Sequence, residues 1–478
     1  MDTRDIFSVR LSRRDYLKQT LMQGLGLGFA GGIMLGGCHS RRKDRRPNII
    51  FITVDTLRAD HLGCYGYRLG TSPHIDAFAR EGLLFKRCLS HAPVTGSSLI
   101  SLLSGYLPTE TKVYGNMFPP VEGLQTLAER LHQAGYFTAA VVSNFILRKN
   151  SGYEQGFEVY DDEMQEWELV RKFPERVAEK TAHSALQVLK RKPDRPVFLW
   201  VHFQDPHGPY TPPRASARLF YDSSRQVRVL EAKDEAMSDN WSGYKSIPLY
   251  QRLGHQRDYN YYLANYDGEI HYLDQGVHRV LEALKRMKMF DNSFILFSAD
   301  HGESLGEHDY FFCHGENLYQ ELIHVPLIIR FGDQLRGSVD NFVQHIDVVP
   351  TVLNVVGASN RPNFRGHDLL TDRDTVRGIF SSMKRHGTSD VFKHSLVIDG
   401  HKLIESTDSG PELYDLRGDP EERENLIARP DFKSIGEQLS RQLDQVKADD
   451  RLGLKSGPEQ KPRSLEELEK LKAMGYVE

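Results

Sequence analysis

The sequence predicts an α/β fold, a mostly parallel sheet sandwiched by helices, followed by a smaller C-terminal α+β subdomain. Three observations carry this expectation. Short, nearly continuous apolar runs rich in β-branched and aromatic residues recur at Asn48–Val54, 139–142, Val197–Phe203, 294–297 and 325–331. Stretches with helical spacing of apolar residues alternate with them. Three of the five runs deliver Asp or Asp/His groups at their carboxyl ends, and open α/β sheets bind ligands in the crevice beyond those ends.

Taken in order, residues 1–38 are an address rather than part of the fold. Arg13-Arg14 within SRRDYLK resembles the twin-arginine export signal, and the Gly-rich run 21–37 that follows is too poor in large apolar residues to span a membrane. LGGC, ending at Cys38, resembles the bacterial lipobox, whose acylated cysteine anchors a mature chain to a membrane. Residues 39–47 form a basic tether. The first strand, Asn48–Val54, ends in Asp55-Thr56. Leu124, Leu127, Ala128 and Leu131 share a helical face closed by Gly135. A strand at 139–142, a helix at 177–189 and the strand Val197–Phe203 follow, the last running into Gln204-Asp205-Pro206-His207. Residues 214–255 carry mixed charge and few periodic apolars, and read as a surface insertion near the site entrance. A long helical pattern over 260–287 leads into the strand at 294–297, which stops at Asp300-His301-Gly302. The catalytic domain spans 48–386. Beyond 387, an Asp399-Gly400 turn marks a hairpin over 395–404, with a strand near 412–416 and a helix over 432–446.

The chain has 478 residues, 39% hydrophobic and 26% charged, with formal net charge −4. That balance suits a globular enzyme and gives no footing for nucleic-acid binding, which would need a basic face on the folded domain. The four cysteines, Cys38, Cys64, Cys88 and Cys313, allow at most one disulfide once Cys38 carries lipid.

Two stretches concentrate the chemistry. Asp300 and His301 place a carboxylate and an imidazole together where a buried strand emerges, a pairing suited to a divalent cation. In HAPVTGSSLISLLSG, hydroxyl residues precede an apolar helical pattern, so Thr95 stands at a helix N-terminus, where unpaired N–H groups and the dipole favour an anion.

Over nearly the whole length after the signal, ordered blocks resemble the sulfatase family of the alkaline-phosphatase superfamily: NIIFITVDTLRADHLGCYGY, SLISLLSGYLP, VHFQDPHGPYTPP, SADHGESLGEH, HGENLYQELIHVPLII, HIDVVPT, ELYDLRGDPEERENL and the terminal MGYV. The resemblance implies a metal-dependent ester hydrolase. It also exposes two departures. Sulfatases use a formylglycine made from Cys or Ser, whereas the corresponding position here is Thr95, which cannot be so converted; no formylglycine is expected. Where the family carries paired Asp after the first strand, this chain has Asp55-Thr56.

The resemblance implies that Asp55, Asp300 and His301 hold one divalent metal (Mn, Zn, Ca or Mg), with Thr95 as nucleophile and His207 and His314 as catalytic histidines. Asp205 is a second-metal or substrate-binding candidate. Arg58 reads as a structural ion-pair residue, and Asn116 as either substrate-binding or surface. Thr95 favours phosphoester hydrolysis or phospho-group transfer on a small-molecule, glycan or lipid ester, by a periplasmic or cell-envelope lipoprotein. Two rival readings are a true sulfuric-ester hydrolase working without formylglycine, and an inactive lipid-anchored binding protein.

Overall fold

The computed structural model describes residues 46–454, apart from 117–119, 122, 169–172, 192, 235–241, 334, 359–361 and 386–390. The signal with Cys38, most of the tether, the expected boundary at 386/387 and the terminal MGYV lie outside the described residues.

An eight-stranded sheet forms the centre. Its strands are β1 (Asn48–Val54), β2 (Leu83–Leu89), β3 (Phe137–Val142), β4 (Val159–Asp161), β5 (Val197–Phe203), β6 (Ser293–Ala299), β7 (His324–Phe331) and β8 (Gly337–Gln344), in the order β8-β2-β7-β6-β1-β5-β3-β4. The longer helices are α1 (Pro73–Arg80), α2 (Thr95–Ser104), α3 (Leu127–Gln133), α4 (Ala178–Leu189), α5 (Arg214–Phe220), α6 (Tyr259–Arg286), α7 (Val348–Val355) and α8 (Lys433–Ala448). Strands β5 and β6 are buried at every position, as strands covered on both faces must be. The α/β class is therefore the observed one.

Strands β6, β1 and β5 are adjacent and parallel, with Val54 level with both Ala299 and Phe203. Their carboxyl ends thus emerge side by side. The register continues one residue beyond the strands, because the Asp55 N–H donates to Phe203 O and the Asp300 N–H to Val54 O, both at 3.0 Å.

Three details differ from expectation. The run at 325–331 is a strand, but it pairs antiparallel with both β6 and β2, because only the 24 residues from Asp300 to Ile323, folded as a short two-stranded hairpin and single helical turns, separate it from β6. A parallel return needs a crossover, usually a helix, to carry the chain back across the sheet. Strands β2 and β8 were not expected: LLFKRCL and GSVDNFVQ interrupt their apolar residues with charged or polar ones, since these strands lie at the less enclosed side of the sheet. Residues 214–255 are partly internal rather than wholly superficial. Ile247 and Tyr250 are buried, and the Tyr250 hydroxyl donates to Phe312 O at 2.8 Å.

The C-terminal sheet is antiparallel: β9 (Ile379–Lys384), β10 (Phe392–Ile398), β11 (His401–Ser406) and β12 (Glu412–Asp415), packed against α8. The expected hairpin turns at Asp399-Gly400, both with positive φ, as such a turn requires. Its first strand starts at Ile379, ahead of the 387 boundary read from the sequence. Lys402 fastens this sheet inward: its ammonium lies 2.7 Å from Glu422 Oε1, with both side chains fully buried, and donates to Leu318 O at 2.5 Å. Removing one partner of such a pair leaves an uncompensated buried charge. Glu422→Ala is therefore expected to lower unfolding stability by about 3–5 kcal/mol in a denaturant titration.

Candidate active site

The three adjacent strand ends build the site. Asp55 follows β1 and Asp300 follows β6; both are fully buried. Asp300 Oδ1 accepts from the N–H groups of Thr56 (3.1 Å) and His301 (2.7 Å), which fixes the carboxylate and leaves Oδ2 without a hydrogen-bond partner. Asp55 Oδ2 accepts from the Asn144 side-chain amide, and its Oδ1 is likewise unpartnered. His301 Nε2 stands 3.7 Å from Asp55 Oδ1 and 3.6 Å from Asp300 Oδ2. Its Nδ1–H donates to Gly302 O at 2.9 Å, so Nε2 carries the lone pair.

His202, the sixth residue of β5, joins this group. Its Nε2 lies 4.0 Å from Asp55 Oδ2, and ligand atoms of Asp55, His202 and Asp300 all fall within 4.8 Å of one another. Its other nitrogen pairs with Thr53 Oγ1 at 2.9 Å, which also accepts from the Trp200 indole. Asp55 Oδ1, Asp300 Oδ2 and His301 Nε2 thus lie together, His202 Nε2 approaches the other Asp55 oxygen, and all four buried atoms lack hydrogen-bond partners. Unpaired buried polar atoms are costly, and a mixed carboxylate and imidazole set is what a divalent cation satisfies. The residues fit a metal.

The electrostatics agree. Burial, then the neighbouring Asp300, pushes the Asp55 carboxyl well above its usual range, and burial pushes Asp300 up to about 8. Burial and the neighbouring His314 pull His301 down to about 4; burial and His301 pull His202 down to about 3. Both imidazoles are held neutral, the form that ligates metals.

Thr95 is the first residue of α2 and only 2% exposed, with its side chain beside the Asp300 carboxyl. The helix is seated by Ser98 Oγ donating to Asp300 O at 2.5 Å and by Asn116, whose Oδ1 accepts the Gly96 N–H at 2.7 Å. Asn116 therefore orders the start of the helix. A Cβ at Gly96 would come within 2.8 Å of the Tyr153 hydroxyl oxygen, so the position next to Thr95 is kept small by contact. Beneath α2, His345 contacts Ser298 Oγ at 3.3 Å and is held by burial at a pKa of about 3.

His207 and His314 stand on the open side. Their ring centroids are 5.2 Å apart, and His314 is 4.7 Å from His301. The His207 Nδ1–H donates to Gly208 O at 2.8 Å, and the His314 Nδ1–H to buried Glu303 at 3.2 Å. Thr95 and His207 line one cleft together with Asn144, Phe145, Glu168 and Phe173. The structure thus gathers Asp55, Asp300, His301, Thr95, His314 and His207. It places Asp205 elsewhere: that carboxyl lies against Glu269 and the start of α4. Arg58 pairs with Asp60 and Glu307, each at 2.7 Å, in the structural role expected.

Reading the sequence missed His202, Asn144 and Glu303. His202 is hidden in the apolar run VFLWVHF; the signal available was a lone imidazole one residue before the strand ends. Asn144 lies two residues past β3, and only the sheet order brings it to Asp55.

Residues 47–358 match the family described as Sulfatase. The chain belongs to the sulfatase family. Residues 306–449 further match the C-terminal region described for N-sulphoglucosamine sulphohydrolase. An N-acetylglucosamine-6-O-sulfatase of Bacteroides thetaiotaomicron is 24% identical over 507 residues, covering 87% of this chain and 89% of that protein. Among solved structures, one bound to its substrate D-glucosamine-2-N,6-O-disulfate superposes with a TM-score of 0.70 at 20% identity, covering 84% of this chain and 97% of that one. The phosphonate monoester hydrolase of Agrobacterium radiobacter gives a TM-score of 0.69 at 21% identity, covering 84% and 96%. As a sulfatase-family member the chain is a hydrolase acting on ester bonds.

Two outcomes test this geometry. A divalent cation should raise the thermal midpoint of the full-length protein, and Asp300→Asn should cancel most of that rise in the same melting assay, since it removes a charged ligand. His345 is neutral when folded down to pH about 3, against about 6.5 when unfolded. The unfolded chain therefore takes up the proton first, so this contribution is fully present above pH about 6.5 and is lost progressively as pH falls toward 3. His345→Gln should flatten the stability profile across that window, measured by denaturant unfolding at each pH.

Proposed function

We propose that this family member is a metal-dependent phosphoester hydrolase or phospho-group transferase with Thr95 as nucleophile. The observation that carries the reading is Thr95 itself, the first residue of a buried helix, standing beside the Asp300 carboxyl and the unpartnered ligand atoms of Asp55, Asp300, His301 and His202. Asp55, Asp300, His301 and His202 would hold the divalent metal. When bound, it would acidify the Thr95 hydroxyl and polarise the ester.

The rest is done by the chain's own side chains. Thr95 lines the cleft with its side chain beside the Asp300 carboxyl. Oγ1 gives its proton to solvent water and attacks phosphorus in line, forming the phospho-threonine ester as the bond to the leaving oxygen breaks. His314 or His207 supplies the proton to that oxygen through Nε2, since each ring commits its Nδ1–H to a fixed acceptor. Attack of water, or of an acceptor alcohol in a transferase, on the phosphothreonine returns Thr95. The positive end of α2 and His207 stabilise the charge that develops on the phosphoryl oxygens. The twin-arginine-like signal and the lipobox-like LGGC ending at Cys38 support a reading in which this activity works at the cell envelope.

A second reading, a sulfuric-ester hydrolase working without formylglycine, is favoured by the sulfatases among the relatives, including the N-acetylglucosamine-6-O-sulfatase. A threonine sulfate, unlike a formylglycine hydrate, has no second hydroxyl with which to expel sulfate, which is why the phosphoester reading ranks first. The test is turnover of an aryl phosphate monoester, a phosphodiester and a sulfate ester by protein loaded separately with manganese, zinc and calcium. Phosphoester turnover is expected, falling about a thousandfold or more in Thr95→Ala. Turnover of the sulfate ester alone, or full activity in Thr95→Ala, would sink the reading.

A further inference from the structure

Beside the nucleophile's cleft lies a second cavity of about 170 Å³, and the two share Glu175, Gln204 and His207 in their walls. Three carboxylates line this second cavity: Glu175, Asp205 and Glu269. Asp205 and Glu269 lie against one another, each largely removed from water, at 8% and 5% exposure. Two adjoining buried carboxylates repel unless a proton or a cation lies between or before them. Glu269 has a backbone donor, the Thr211 N–H at 2.8 Å. Asp205 Oδ2 is different: it is buried at the cavity wall and has no hydrogen-bond partner. Arg176 also lines the cavity: its Nη2 donates to Asp161 at 2.6 Å and its Nε to the Glu163 carbonyl at 2.5 Å, while Nη1 is buried without a hydrogen-bond partner. Tyr272 adds an aromatic ring to the wall.

We propose that this cavity is the subsite for a protonated primary amine carried on the alcohol portion of the substrate, with Asp205 and Glu269 as its acceptors. The inference rests on the reading of Thr95 as nucleophile only for the position of the reacting ester; the amine subsite itself is drawn from the cavity. One arginine stands against three carboxylates in this lining, and a primary ammonium adds the charge and donors that would balance them. It brings positive charge to the adjoining carboxylates and three N–H donors, one of them for Asp205 Oδ2. A quaternary ammonium would bring the charge without the donors. The volume admits an ammonium group with its first one or two carbons, and His207, common to both cavities, stands between the amine and the reacting ester.

The experiment pairs esters that differ only in the charged group. 2-Aminoethyl and 4-aminobutyl phosphates and their phenyl diesters are compared with the n-propyl and n-pentyl isosteres, in which methyl replaces ammonium, using the metal-loaded full-length enzyme. At least one amine length is expected to show kcat/KM about tenfold or more above its isostere, the size of one desolvated charge-assisted hydrogen bond. Glu269→Gln and Asp205→Asn should each draw that ratio toward one. Equal kcat/KM for amine and isostere at both lengths, with the neutral esters turned over, would overturn the amine subsite and leave the phosphoester reading standing. Should no ester react, protection of Thr95→Ala protein against thermal unfolding decides: ethylammonium must protect more than potassium or ethanol, and Glu269→Gln must cancel the difference. Protection by potassium alone would assign the cavity to an inorganic cation and overturn the proposal.

Discussion

Two carboxylates held out of water at the ends of neighbouring parallel strands set the terms for the rest of this molecule. Asp55 and Asp300 are close enough that each contributes to a shared ligand cluster, and no Lys or Arg is among the groups that most affect either carboxyl. An arrangement of that kind is unfavourable by itself, because desolvation and like-charge repulsion act in the same direction. It persists because backbone donors from Thr56 and His301 fix Asp300, the Asn144 amide fixes Asp55, and two neutral imidazoles close the ring. A divalent cation would resolve the conflict that the chain has built.

The same logic recurs next door in a different chemical key. At the metal cluster, imidazole lone pairs accompany the carboxylates, so the missing partner is a Lewis acid. At Asp205 and Glu269 the two carboxyls lie against one another and the Thr211 N–H donates to Glu269. The partner proposed there is a hydrogen-bond-donating cation. The two cavities share His207 and Gln204 in their walls. The motif QDPHG delivers residues to both, with Asp205 and His207 on either side of a cis Asp205-Pro206 bond.

Much of this was legible from residue order. Apolar runs such as NIIFITV and VFLWVHF are strands because β-branched and aromatic residues pack well between two helical layers, and a carboxylate directly after such a run has few places to go but the strand-end crevice. Thr95 was legible as a helix start because small hydroxyl residues gather before an apolar 3.6-residue period. Strands β2 and β8 were not, since lysine, arginine and aspartate inside them erase the period that identifies better-enclosed strands. His202 was overlooked for the opposite reason: a run so apolar absorbs its one imidazole into the core pattern.

The sequence by itself determined the α/β class, the parallel core strands, the carboxylates at their ends, the seat of Thr95 and the family, because these depend on local periodicity and on short ordered motifs. Tertiary structure alone decided that β7 runs antiparallel, that Asn144 and His202 complete the cluster, and that Asp205 turns away from it toward Glu269. Those outcomes depend on which strands become neighbours and in what register. Pairing partners in the sheet lie as far apart in the chain as Val54 and Ala299, and no local pattern records where a side chain points once such distant segments are joined.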